Sequence, residues 1–181
     1  CEVPGLKVVA PSNPKDALGL LRSSIKDPNP VIFAESAGLY GAKGKVPDEY
    51  YDIEIGKADI KQQGTDITLV SYGHGMPLLI KVSEELKNKN VSSEIIDLRS
   101  LSPIDYDLVN ESIQKTGRAL LLDTARKTGG VMAEVATNIN ETSGDYLDGP
   151  ILRVGSEDVP WPYNRKLEQH AMASVPKIMN K

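Results

Sequence analysis

A chain of 181 residues, 40% of them hydrophobic, is long enough to bury one good core, or one domain and a piece of another. A net charge of -4 without any long Lys/Arg run argues against a nucleic-acid partner, and nothing approaches the roughly 20 apolar residues of a membrane-crossing helix. The single cysteine excludes an internal disulfide framework and a thiolate zinc cluster, which fits a reducing compartment.

The chain opens on Cys1 rather than Met, and the strand Leu6 to Ala10 reads as already inside a fold. Asn13-Pro14 then supplies a helix cap and a proline at the first helical position, where its missing N–H has no partner to lose. Ala17, Leu18, Leu21 and Ile25 follow on one predicted face. Val31 to Glu35 reads as a strand covered on both sides. From Ser36 to Gln63 glycine, charge and tyrosine interrupt every period, which predicts a surface loop and linker with a short strand near Ala58 to Ile60.

A β/α series begins after that linker. The strand Asp66 to Tyr72 leads through Gly73-His74-Gly75 into a helix whose apolar positions are Met76, Leu79, Ile80, Val82 and Leu86. The strand Ser93 to Leu98 precedes Ser102-Pro103-Ile104-Asp105, which has capping-box spacing, and Leu108, Val109 and Ile113 face inward from the next helix. Ala119 to Asp123 is a strand, Gly130 to Asn140 a helix and Ile151 to Val154 a strand. A terminal helix places Val175 and Ile178 against the sheet. Strands separated by helix-length segments predict a mostly parallel sheet with helices on both faces.

Four local features invite a functional reading. His74, between two glycines at a strand-to-helix turn, has the position of an acid/base group, but no nucleophile or carboxylate lies beside it in sequence and a plain loop histidine is favoured. His170 sits in a polar stretch and reads as solvated. Thr128-Gly129-Gly130 ahead of a helix resembles a phosphate cradle only loosely, and Thr128 as a simple helix cap is the better reading. In Asp158-Val159-Pro160-Trp161-Pro162-Tyr163 the alternating prolines hold the backbone extended. Two uses stand side by side there: a preorganised subunit contact, or a rigid loop packing its aromatics on its own domain.

Several segments also share an order and spacing: Pro4 to Val9, Asn29-Pro30-Val31, Tyr40 before Lys43-Gly44-Lys45-Val46-Pro47, and Ile55 to Ala58. Asp97 to Pro103, Lys115 to Arg118, Thr128 to Gly130 and Asp158 to Tyr163 continue the series. Together they resemble the beta subunit of the thiamine-dependent first component of 2-oxo acid dehydrogenase complexes, in its later part. The resemblance implies a three-layer α/β/α sheet like the transketolase C-terminal domain over residues 56–181. Before it, residues 1–55 would be the end of a thiamine-binding (pyrimidine) domain plus linker, with the rest of its sheet lying upstream.

It implies an enzyme that decarboxylates a 2-oxo acid, pyruvate above all, on thiamine diphosphate with Mg and passes the acyl group to a lipoyl-bearing acyltransferase. The principal catalytic and cofactor-binding side chains lie upstream of Cys1, so none is assigned here. The part in hand would serve assembly with an alpha subunit and a second beta subunit, and docking of dihydrolipoyl acyltransferase. The compartment implied is the bacterial cytoplasm or an organelle matrix. Branched-chain 2-oxo acid and acetoin dehydrogenases are the near alternatives, transketolase and deoxyxylulose phosphate synthase the distant ones. A stand-alone binding module is the alternative of another class.

One site carries over residue by residue. In some members a potassium ion is held by main-chain carbonyls at the end of the helix before the Asn-Pro-Val strand, and the matching positions are Ser24, Ile25, Asp27 and Asn29. A plain helix stop enforced by Pro28 and Pro30 accounts for the same residues, and both readings are open. Two departures from the family pattern are His74, where Arg is usual, and Asp123-Thr124 in place of His-Glu.

Overall fold

In the computed structural model, which describes all of residues 1–181, two sheets share one chain. The smaller contains β1 (Lys7–Val9), β2 (Val31–Phe33) and β6 (Ser100–Ser102) in the order β2-β1-β6, with β1 parallel to β2 and antiparallel to β6. The larger contains β3 (Asp59–Gln62), β4 (Ile67–Ser71), β5 (Ser93–Asp97), β7 (Ala119–Arg126) and β8 (Leu152–Ser156) in the order β3-β5-β4-β7-β8. Only β3 runs antiparallel in it.

Helices α1 (Pro14–Lys26), α2 (Gly75–Asn88), α3 (Tyr106–Thr116), α4 (Val131–Ser143), α5 (Arg165–Ala171) and α6 (Val175–Met179) complete the fold. Val109 and Ile113 of α3 with Met132, Val135 and Ile139 of α4 cover one face of the large sheet over Val70, Ile96 and Leu121. Met76, Leu79 and Val82 of α2 with Ile178 of α6 cover the other over Leu69, Ile95 and Leu122. Each such side chain, fully buried, contributes roughly 1.5–3 kcal/mol. The alternation read from the sequence after residue 64 is therefore a three-layer sandwich, with β6 inserted between β5 and α3.

The first helix starts as its residues dictate: Asn13 Oδ1 accepts from Asp16 N at 3.0 Å, with Pro14 opening the first turn. Its inward face is not the expected one. Asp16, Gly19 and Leu20 are buried, whereas Leu21 and Ile25 are exposed, Ile25 to 77%. The reason is that the linker folds back onto this helix, bringing Ile53 and Tyr51 against Gly19, where an added Cβ would meet their side chains within 2.6–2.8 Å. Likewise β2 is half exposed rather than covered on both sides, because it is the edge of the small sheet, with Ile32 49% exposed.

Three smaller expectations are corrected. The cap of α3 is Asp105, whose side chain accepts from Leu108 N, because Ser102 is taken up by β6. The cap of α4 is Gly130, not Thr128, whose hydroxyl donates to Asp158 instead. Ile80 of α2 faces solvent.

Gly64, just before β4, lies so close to β5 that a Cβ would fall 2.1 Å from the Ser93 carbonyl carbon. Gly64→Ala is expected to destabilise the chain by roughly 1–3 kcal/mol through forced backbone movement. Gly149→Ala, with nothing within 4 Å, should leave the urea midpoint almost unchanged.

Candidate functional site

The four residues carried over as a cation site fall on one turn. Ser24 and Ile25 end α1, Asp27 caps it, and Asn29 closes the turn into β2. The helical donor for the Ser24 carbonyl is Pro28, which has no N–H. The donor for the Ile25 carbonyl is Asn29, whose N–H goes instead to Asp27 Oδ1 at 2.9 Å. Both carbonyls thus lie at the negative end of the helix dipole without their intrahelical partners. The Asp27 carboxylate also pairs with Lys7 on β1, and this ammonium together with the Asn29 N–H holds its acid well below the usual range.

A second constellation, which sequence reasoning did not assemble, lies where the two sheets meet. Lys61 Nζ on β3 bonds Asp16 Oδ2 of α1 at 2.6 Å and Asp59 Oδ2 at 2.7 Å, and stands 3.7 Å from Asp97 Oδ2 at the end of β5. Arg99 Nη1 lies 3.4 Å from Asp16 Oδ1, while Nη2 donates to the carbonyls of Lys57 and Ala58 at 3.0 and 2.9 Å. Ser12 Oγ donates to Asp97 Oδ2. Arg99 adopts φ 55, a left-handed conformation that strains a side chain with a Cβ by about 1–2 kcal/mol, and the bonds its guanidinium makes hold it there.

The signal available in the sequence was the pair of acids inside an apolar strand, Glu94 and Asp97 in Ser93-Glu94-Ile95-Ile96-Asp97; both are buried. A strand interior tolerates carboxylates only when partners are built for them. Glu94 has its own set: Ser112 Oγ donates to Oε1 at 2.6 Å, and Lys115 pairs with Oε2.

The remaining candidates separate. The His74 ring packs against the 3-10 turn Ala37–Leu39, with the Cβ position of Gly38 2.9 Å from its Cε1, and its buried Nδ1 has no hydrogen-bond partner. Nothing there resembles a nucleophile-base pair. His170 is exposed in the last turn of α5. Tyr72 donates to Asp123 Oδ1 at 2.7 Å, and burial together with that carboxylate raises the phenol's pKa. In the proline-bounded loop Tyr163 is fully exposed and Trp161 half exposed, with its indole N–H 3.2 Å from Glu168 Oε1. Trp161 thus rests partly on its own domain, whereas Tyr163 does not.

A cavity of about 950 Å³ lies between the N-terminal segment, the residues after β6 and the start of α4. Its charged lining is Glu2 and Glu134, with no Lys or Arg. A diphosphate calls for cationic groups or a divalent ion, so thiamine diphosphate does not fit this lining. No group of three or more His, Cys, Asp or Glu residues is placed to hold a metal ion, and no helix is long and apolar enough to cross a membrane.

The family described as transketolase, C-terminal domain, matches residues 56–178. The chain belongs to that family. The whole chain is similar over 98% of its length to the pyruvate dehydrogenase E1 component subunit beta of Rhizobium meliloti (strain 1021), at 44% identity, covering 39% of that protein. It is similar at 38% identity to the acetoin:2,6-dichlorophenolindophenol oxidoreductase subunit beta of Bacillus subtilis (strain 168), covering 98% of this chain and 52% of that one. The chain thus spans about half or less of these curated relatives' length. A solved chain described as split gene transketolase, inactive beta4 tetramer, superposes with a TM-score of 0.80 at 20% identity, covering 99% of this chain and 56% of that one. That likeness supports the fold.

Arg99→Ala would leave Asp16 short of one cation and two carbonyls without donors. Asp16 keeps its Lys61 partner at 2.6 Å, so the loss is mainly that of the carbonyls' donors, about 1–3 kcal/mol, and the variant should unfold at lower urea. An unchanged midpoint would show that the cluster is energetically idle.

Proposed function

We propose that this chain is part of the beta subunit of a pyruvate dehydrogenase-type E1 component, contributing assembly and docking surface to an enzyme that decarboxylates a 2-oxo acid. The observation that carries the reading is 44% identity over 98% of the chain to a pyruvate dehydrogenase E1 beta subunit. In such an enzyme thiamine diphosphate supplies the electron sink for decarboxylation. The acyl group then passes to a lipoyl group of the acyltransferase.

Residues 1–55 serve in this reading as the end of a pyrimidine-binding domain plus linker, and 56–181 as the C-terminal domain. The alpha subunit, a second beta subunit and the dihydrolipoyl acyltransferase are the partners. Exposed Trp161 and Tyr163 on a backbone stiffened by Pro160 and Pro162 support a contact role, since little chain entropy remains to be lost on association. The acetoin-type relative supports a second reading, in which the same scaffold serves an acetoin-cleaving enzyme.

Purified alone, the chain should show neither 2-oxo acid decarboxylation nor micromolar binding of thiamine diphosphate by calorimetry. With its cognate alpha subunit it should co-elute on size exclusion, and a Trp161→Ala, Tyr163→Ala double variant should co-elute less. Low-micromolar cofactor affinity for the chain alone, or no association with an alpha subunit, would sink the proposal. Pyruvate and acetoin turnover by the complete enzyme distinguishes the two readings.

Potassium held by the carbonyls of Ser24, Ile25, Asp27 and Asn29 belongs to the same proposal, supported by the two carbonyls that Pro28 and the Asp27–Asn29 bond leave without helical donors. Potassium should raise the unfolding midpoint above that in sodium. Asp27→Asn should reduce this difference modestly, because its side chain binds Lys7 and the Asn29 N–H rather than the ion. Asn29→Pro should abolish it by fixing φ at about −65° and removing that N–H. A wild-type midpoint indifferent to the cation reduces the segment to a helix stop.

A further inference from the structure

Within ion-pair distance, three carboxylates of this cluster, Asp16, Asp59 and Asp97, share two cations, Lys61 and Arg99; Lys15, the next cation, acts on Asp59 and not on Asp97. The geometry shows which acid is left without a direct cation. Lys61 bonds Asp16 and Asp59 directly, and Arg99 Nη1 lies 3.4 Å from Asp16 and 4.0 Å from Asp59. Asp97 is left with the Ser12 hydroxyl, the Arg99 backbone N–H at 3.2 Å and an ammonium 3.7 Å away. It is also the more deeply buried of a directly opposed pair, because Asp59 and Asp97 are register partners across β3 and β5. Like charges in that position repel.

We propose that closing the small sheet onto the large one takes up one proton at Asp97, so that the junction is held more tightly in mildly acidic than in neutral solution. The elements meeting at Asp97 are the segment before α1 with Ser12, α1 with Asp16, β3 with Asp59 and Lys61, and the turn at Arg99. Beside β5 on its other edge, Ser71 of β4 contributes no charge.

The titration directions agree with the geometry. Burial is the largest influence on Asp97 and, with the Asp16 charge, raises its pKa to about 6 against the lowering effects of Ser12, Lys61 and the Arg99 N–H. For Asp59 burial is outweighed by the Lys61 bond and the charges of Lys61, Arg99 and Lys15, which hold its pKa low. Lys61 is raised because its bonds to Asp16 and Asp59 and the nearby Asp97 charge outweigh burial. An acid whose pKa is raised on closing binds its proton more tightly in the closed state. The resulting stabilisation is complete below the ordinary Asp pKa of about 4 and is lost as pH rises through about 6.

The test is amide hydrogen exchange on the 181-residue chain, corrected for the intrinsic rate. Ala10 N–H, which bonds the Arg99 carbonyl at 2.7 Å, reports the junction. Its protection should be about tenfold greater at about pH 5 than at about pH 7.5. Leu69 and Leu121 amides in the large sheet report global unfolding, which exposes Asp97 too and carries the same proton dependence; Ala10 protection below theirs at both pH values identifies junction opening, and protection equal to theirs overturns it.

In Asp97→Asn, neutral at every pH, the difference should vanish. Pairing the same pH dependence with Asp97→Asn, or finding none in the wild type, overturns the proposal. Carbon-13 titration of the Asp97 carboxyl in the wild type decides independently of whether the variant folds: a midpoint near 6 supports the proposal, and one at the ordinary carboxylate value of about 4 overturns it.

Discussion

Arg99 stands where the chain leaves β5 of the large sheet and enters β6 of the small one, and the relation between the sheets depends on how that residue is held. Its guanidinium binds the Lys57 and Ala58 carbonyls just before β3, and its carbonyl accepts from Ala10 after β1. One residue therefore ties the linker, both sheets and, through Asp16, the first helix. A left-handed backbone turns β6 back toward β1, and only a network that over-determines the position tolerates that conformation in a residue with a Cβ. Everything carried by the small sheet, including the carbonyl turn at the end of α1, is oriented by this junction.

The large sheet was the most legible part of the sequence. Its parallel strands are apolar runs bounded by glycine, proline or charge, unlike the polar edge strand β3, and its long helices show a 3.6-residue period that no short-range alternative reproduces. Asn13 could be assigned as a cap because its chemistry is local. What escaped was non-local. Ser100-Leu101-Ser102 becomes a strand only because β1 lies beside it, and nothing in three residues announces that. The face of α1 was misplaced because Ile53 and Tyr51 arrive from a linker without period. Thr128 lost its cap role to a competing acceptor, Asp158, thirty positions away. The turn at residues 24–29 could be named through family resemblance and two prolines, whereas the ionic junction required knowing that α1, β3 and the Arg99 turn converge.

The two carboxylates of β5 also specify pairing. Ser93, Ile95 and Asp97 point to one face of the sheet and Glu94 and Ile96 to the other, as strand geometry requires. Ile95 packs with α2 and Ile96 with the α3–α4 layer. On the α3 side Glu94 meets Ser112 and Lys115, and on the opposite side Ser93 meets Ser83 of α2 at 2.7 Å. A slip of one residue would exchange the faces, burying Glu94 without its partners. A carboxylate stripped of its partners and left buried costs several kcal/mol. Apolar burial sets how strongly this strand is held in the sheet; the polar residues at its two ends set where along the sheet it stops, and hence where the turn to Arg99 begins.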